Sequence, residues 1–234
     1  MIMYKIDDQL AKVTARIQQA ALAAGRNPET VRLIAVSKTQ PAAAVAQAYD
    51  WGQRAFGENY LQEALEKQIE LATLTDIEWH FIGPIQSNKT RPIAENFAWV
   101  HSIDREKVAQ RLNDQRPENL PPLQVCLQVN IDDETSKSGV KLSEVPQLAD
   151  AINKLPRLSL RGLMCIPAAS NTEAQQHAAF GKLKQALVDV QKQGYTSVDT
   201  LSMGMSGDME SAIAEGATYV RVGTDIFGAR AKPQ

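Results

Sequence analysis

The chain has 234 residues, 25 basic and 27 acidic, for a formal net charge of −2, and is 44% hydrophobic and 22% charged. That balance offers no basic surplus for general nucleic-acid binding, and the composition is that of a folded globular chain rather than a disordered one. The length suits one α/β barrel, a fold of about 200 to over 400 residues, and is enough to bury a core without disulfide staples.

Residues 7–24 predict a helix, with Leu10, Val13, Ile17, Ala20, Ala21 and Ala24 at helical spacing and Gly25 as its stop. Residues 32–37 (RLIAVS) predict an almost continuously apolar strand, and Pro41 opens a helix that runs to about residue 51. Further strands are predicted at 55–56, 78–82, 99–102, 123–130, 159–164, 200–203 and 219–222. Helical patterns fall at 60–72, 89–96, 105–113, 143–154, 173–193 and 208–215. No linker or composition shift divides the chain, so residues 1–234 read as one domain. Apolar strands alternating with helices imply right-handed βαβ units and a parallel sheet covered on both faces. The expected fold class is α/β: a single (β/α)8 TIM-like barrel, with an extra N-terminal helix capping one end. A doubly wound open sheet is the alternative, but no G-x-G-x-x-G follows the first strand.

Cys126 and Cys165 sit in the apolar runs VCLQV and LMCIP without CxxC spacing. They read as buried free thiols of a reducing compartment, not as a metal site. The N-terminal MIMYKIDDQL carries acids where a signal peptide carries an apolar run, and no stretch approaches the ~18 apolar residues of a membrane span. A soluble, cytoplasmic protein is expected.

In such a barrel the chemistry belongs at the C-terminal ends of the strands. Lys38 directly follows the first strand. Desolvation at the barrel mouth would lower its pKa and free an amine for Schiff-base chemistry; the plain alternative is a lysine that snorkels into water. After the seventh strand, Ser206 is expected to cap the next helix, with Gly207 leaving the backbone open to a ligand, so that this terminus can bind an anion. Gly223 and Thr224 end the eighth strand, and loops after strands seven and eight often make a phosphate site. The plain alternative is one cap and two corners. Arg221 lies inside the apolar YVRVG and needs a partner, either an inward carboxylate or a ring nitrogen or anion of a ligand. His80 alone reads as a core histidine. Asn59 reads either as a site residue or as a cap of the helix after it. Lys137, in DETSKSG, reads as an ordinary exposed lysine, with a secondary aldehyde site as the sharper alternative. The three histidines are too scattered for a zinc cluster, and there is no G-x-S-x-G or P-loop.

Several longer runs then carry a resemblance. AVSKTQP (35–41), FGENYLQEA (56–64), WHFIGPIQSNK (79–89), RGLMCIP (161–167) and the closing 201–230 resemble, in order, the motifs of the YggS/PROSC family of pyridoxal phosphate homeostasis proteins. Ile85 stands where that family pattern has leucine. The resemblance implies a barrel of the alanine racemase N-terminal-domain type, with pyridoxal 5′-phosphate held as an aldimine on Lys38. It implies a phosphate resting on Ser206, Gly207, Gly223 and Thr224. Arg221 would face the pyridine nitrogen, and Asn59, His80 and Met203 would line the ring pocket.

That resemblance implies a carrier. Arginine beside the ring nitrogen has no proton acceptor and disfavours a pyridinium, so carbanion chemistry is poorly supported. With the chain ending at Gln234, the second domain and tyrosine base of the racemases are expected to be missing, and a monomer is expected. The implied role is to hold, buffer or deliver pyridoxal phosphate, docking transiently on apo-enzymes that need it, with no nucleic-acid or membrane partner. A single-domain pyridoxal-phosphate racemase is the main rival, and a Schiff-base sugar-phosphate aldolase a weaker one.

Overall fold

Eight short strands of the computed structural model pair in sequence order and close on themselves. The structure describes residues 5–134, 137–169 and 172–228; Thr135 and Ser136 of the Lys137 loop, and Ala229 and Arg230 of the closing motif, lie outside these. The strands are β1 (Arg32–Val36), β2 (Ala55–Glu58), β3 (Glu78–Phe81), β4 (Trp99–Ile103), β5 (Leu123–Val129), β6 (Leu158–Cys165), β7 (Thr200–Ser202) and β8 (Tyr219–Val222). All pairs are parallel, and β8 returns to β1 through Arg32–Tyr219 and Ala35–Val222. The helices are α1 (Ile6–Ala23), α2 (Ala42–Trp51), α3 (Leu61–Glu70), α4 (Thr90–Asn96), α5 (Glu106–Gln115), α6 (Val145–Asn153), α7 (Glu173–Lys192), α8 (Met209–Ala214) and α9 (Thr224–Phe227). Parallel strands need crossovers, and here helices supply them, so both faces of the sheet are covered. The expected closed barrel is therefore the observed one.

The first helix differs from expectation. It does not cap an end: it packs along α2, α8 and α9. It fills the place in the outer ring that a full helix after β8 would take, because α9 has only four residues. Its buried face is Ile6, Leu10, Val13, Ile17 and Ala21; four of these are in the predicted stripe, while Ala20 and Ala24 are only partly buried and Ile6 starts the helix one residue earlier than predicted.

Side chains alternate in and out along each strand. Ile34, Ala55, Trp99, Cys126, Met164 and Tyr219 form a small cluster separate from the large one made by the outward positions and the helices. These six are inward positions, and stepping two residues on from Ile34, Met164 and Tyr219 reaches Val36, Ile166 and Arg221 at the barrel mouth. Both cysteines are free and buried, and burial pushes the Cys165 thiol up to about 12, so neither is a reactive thiolate.

β6 and β7 approach most closely at Gly162, where an added Cβ would lie 1.8 Å from the Thr200 carbonyl oxygen. Backbone cannot yield as a flexible side chain can. Gly162→Ala is expected to destabilise the barrel by about 2 kcal/mol or more, read as a lower urea midpoint at unchanged slope.

Candidate functional site

The C-terminal mouth of the barrel holds a cavity of about 250 Å³. Its walls are Val36 and Lys38 after β1, Asn59 after β2, Ile82 after β3, Ile166 after β6, Met205, Ser206 and Gly207 after β7, and Arg221, Gly223 and Thr224 of β8 and its loop. Seven of the nine residues singled out from the sequence meet here: Lys38, Asn59, Ser206, Gly207, Arg221, Gly223 and Thr224. Two do not. Met203 is fully buried in the large apolar cluster, because β7 turns Ser202 inward and its neighbour Met203 outward. His80 faces inward but lies one step too deep; Ile82, two residues on, reaches the wall instead.

Val36, Ile82, Ile166 and Met205 also line the cavity, although the sequence motifs do not single them out. The first three sit two residues beyond the inward positions Ile34, His80 and Met164, so period-two counting along β1, β3 and β6 finds them.

Arg221 carries the only guanidinium among the described residues of this wall and is 4% exposed. Its partners are not a carboxylate: Nη1 donates to Ser202 Oγ at 2.8 Å and Nη2 to the Cys165 carbonyl at 2.9 Å. Burial lowers its pKa from the usual very high value. Asn59 does not cap α3, whose N-cap is Tyr60 without a side-chain bond. Its Oδ1 is buried with no hydrogen-bond partner among the described residues, an acceptor left over at the cavity wall. Such an atom costs about 1–3 kcal/mol unless a ligand or water satisfies it.

Ser206 is not the cap of α8 either. That helix starts at Met209 with Asp208 at the N-cap position, and the Asp208 carboxylate instead accepts from the Met205 N–H at 2.6 Å, closing the turn. Ser206 and Gly207 therefore lie in the turn itself. Neither backbone N–H finds an acceptor among the described residues, and a Cβ at Gly207 would meet nothing within 4 Å. Arg16 of α1 ties this turn to the next loop from behind. It donates to the Ser206 carbonyl at 3.1 Å and pairs with Glu210 at 2.9 Å and Asp225 at 2.6 Å.

A second cluster sits behind Lys38. Lys67 of α3 is 3% exposed and donates to the Ser37 carbonyl (2.7 Å), Glu58 Oε1 (2.8 Å) and Glu63 Oε1 (2.7 Å). Ser37 Oγ donates to the same Glu58 oxygen at 2.6 Å, and the Thr39 N–H donates to Glu63 at 2.5 Å. Thr39 has φ 64°, a left-handed conformation that costs a β-branched residue energy. These bonds hold both residues that flank Lys38. Burial pushes the Glu58 carboxyl above its ordinary range, against the opposing pull of Lys67.

Lys137 is not the exposed lysine that its polar sequence context predicts. It lines an adjoining cavity that shares Asn59, Ile82 and Ile166 with the first, and its ammonium lies 3.5 Å from Asp132 and 3.7 Å from Glu134.

The main wall offers an amine, a buried guanidinium, an unsatisfied amide oxygen and two unclaimed backbone N–H groups, a set suited to an anion beside a carbonyl that an amine can reach.

Known proteins agree with this chemistry. Residues 9–231 match the family model described as alanine racemase, N-terminal domain. The chain is similar to a protein of Pseudomonas aeruginosa named pyridoxal phosphate homeostasis protein, 62% identical with 97% of each chain covered. It is also similar to the protein of that name from Escherichia coli strain K12, 54% identical over 97% of this chain and 98% of the relative. Among solved structures it resembles PipY of Synechococcus elongatus with PLP bound, at 38% identity and a TM-score of 0.84, covering 95% of this chain and 100% of PipY. An alanine racemase from Clostridium difficile shares the fold at 13% identity and a TM-score of 0.72, with 57% of that chain covered.

The Lys67 cluster yields a direct test. Lys67→Met leaves Glu58 and the Ser37 carbonyl buried without their cation. Stability is expected to fall by about 3 kcal/mol or more in urea unfolding, with faster proteolysis near Thr39.

Proposed function

The chain belongs to the alanine racemase N-terminal-domain family and, within it, to the pyridoxal phosphate homeostasis proteins, and from that premise we propose that it holds pyridoxal 5′-phosphate at the barrel mouth for supply to other proteins. The observation that carries this reading is that Lys38 and Arg221 line one cavity with the unclaimed Ser206 and Gly207 N–H groups. Lys38 Nζ supplies the amine. That amine would condense with the cofactor's aldehyde, whose oxygen would leave as water. Ser206, Gly207, Gly223 and Thr224 would hold the phosphate, with Arg16 bracing the two loops from outside. Asn59 Oδ1 would be left to accept from a donor on the ligand or from water.

Arg221 sets the character of the site. Bound pyridoxal phosphate supplies an electron sink, and that sink is strongest when the ring nitrogen is protonated. A guanidinium can only donate, so it keeps the nitrogen unprotonated and the sink weak. Among the described lining residues, Lys38 and Arg221 are the only ionisable ones, and a guanidinium is too strong a base to give up its proton as a second base. Both points favour holding over turnover. Ile166 and Met205, 40% and 38% exposed at the rim, offer an apolar contact for an apo-enzyme that takes the cofactor over in the cytoplasm.

Borohydride reduction of protein loaded with pyridoxal phosphate, followed by peptide mass mapping, is expected to place the adduct on Lys38. Lys38→Ala is expected to lose both the adduct and the long-wavelength absorbance. Adduct spread over surface lysines, with none on Lys38, overturns the reading. Incubation with a panel of amino acids in deuterated water is expected to give no α-deuterium at catalytic rates; cofactor-dependent incorporation would make the protein a racemase-type enzyme.

A further inference from the structure

Beneath the cavity a line of buried polar side chains crosses the barrel interior. Arg221 Nη1 lies 2.8 Å from Ser202 Oγ, and Ser202 Oγ lies 2.8 Å from His101 Nδ1. His101 Nε2 lies 2.9 Å from His80 Nδ1, and His80 Nε2 lies 2.8 Å from Glu78 Oε1. Arg32 closes the far end, 2.9 Å from the same Glu78 oxygen. His80, His101 and Ser202 are fully buried, and the rings stack among Trp99 and Tyr219. Five contacts in series, all at hydrogen-bond distance, are more than core histidines need for satisfaction.

The direction of the bonds is set from the Glu78 end. Glu78 as a carboxylate only accepts, so His80 donates to it from Nε2. Burial keeps both rings neutral, so His80 Nδ1 is bare and accepts from His101 Nε2. His101 Nδ1 is then bare and accepts the hydroxyl proton of Ser202, whose oxygen accepts from Arg221. Both rings are neutral in this arrangement, in keeping with burial that holds their pKa values below the ordinary histidine range. The chain keeps this direction while Glu78 is a carboxylate and both rings are neutral.

We propose that Ser202, His101, His80 and Glu78 are positioning residues for Arg221: a hydrogen-bond chain of fixed direction that anchors the guanidinium at the cavity wall and aims its remaining N–H groups at a ligand's ring acceptor. The identity of that ligand rests on the pyridoxal phosphate reading; the chain does not. The far anchor, the Glu78–Arg32 pair, sits at the start of β3 and β1, so the site is oriented from the opposite end of the barrel. No local pattern announces this line: the histidines are 21 residues apart and Ser202 another 101 away, and only the barrel brings them together.

Apo-protein labelled with 15N-histidine tests the chain without any cofactor. Long-range 1H–15N correlation is expected to show His80 and His101 as neutral Nε2–H tautomers at neutral pH, with the outer His177 between Glu173 and Glu215 as the control. An Nδ1–H tautomer or a protonated ring at either inner position overturns the proposal. Ser202→Ala is expected to speed rotation of the Arg221 guanidinium in the NMR spectrum, to disturb the His101 signal and to weaken pyridoxal phosphate binding about tenfold, the value of one charge-assisted hydrogen bond. The Lys38 adduct should still form, and Ser202→Thr, which keeps the hydroxyl, should restore all three. Unchanged Arg221 rotation in Ser202→Ala overturns the positioning role. Wild-type protein that takes up no pyridoxal phosphate overturns the cofactor reading instead, and the chain is then decided by tautomers and Arg221 rotation alone.

Discussion

A charged guanidinium held inside a barrel is the constraint around which this molecule is arranged. Desolvating such a group costs at least several kcal/mol unless its N–H groups are met, so each donor of Arg221 needs an acceptor in fixed position. The barrel supplies two, the Ser202 hydroxyl and the Cys165 carbonyl, from the neighbouring strands β7 and β6. The rest of the group borders the cavity. A ligand that accepts hydrogen bonds there relieves part of the desolvation cost; one that must donate does not. A preference for a hydrogen-bond acceptor over a donor thus follows from placing arginine in a buried wall.

The same logic recurs around the mouth. Lys67 is as buried as Arg221 and is met by three oxygens, which join β1, β2 and α3 behind Lys38. Arg16, half-exposed, joins α1 to the two loops after β7 and β8. The exposed pairs of Arg16 contribute little energy by themselves, about 1 kcal/mol or less, so its effect is on where the loops sit. Each of the three cations fixes a different part of one cavity: its floor, the Lys38 side, and the loops after β7 and β8. The N-terminal helix, which the barrel itself does not require, acquires a purpose as the carrier of Arg16 and as the missing member of the outer ring.

Much of this is legible in the chain. Alternation of apolar strands with helices is enough for the barrel, because parallel strands buried on both faces leave a continuous apolar record. Lys38 and Arg221 stand out because a charge at the end of or within an apolar strand needs an explanation. The departures from expectation have physical causes. Met203 is close in sequence to residues that line the cavity, but its parity turns it outward. Ser206 resembles a cap because serine before a helix usually is one; Asp208 closes the turn instead, which leaves Ser206 in the loop that faces the cavity. The spacing in α1 shows which face is buried and not against what, so a barrel end and the outer ring look alike in sequence. Glu58 extends β2 beyond the predicted Phe56, because its pairing with Phe81 and burial against Lys67 are tertiary and leave no local pattern. The Arg221-to-Glu78 line is the extreme case: it joins β8, β7, β4 and β3, and of its members only Glu78 and His80 are close in sequence.

The proposed role of Arg221 pairs its charge with a ring nitrogen that carries no proton. Protein loaded with pyridoxal phosphate labelled with 15N in the ring measures this directly, since the 15N shift of a bare pyridine nitrogen is far from that of a pyridinium. A bare-nitrogen shift at neutral pH is the expected result, and a pyridinium shift in the wild-type protein would contradict it.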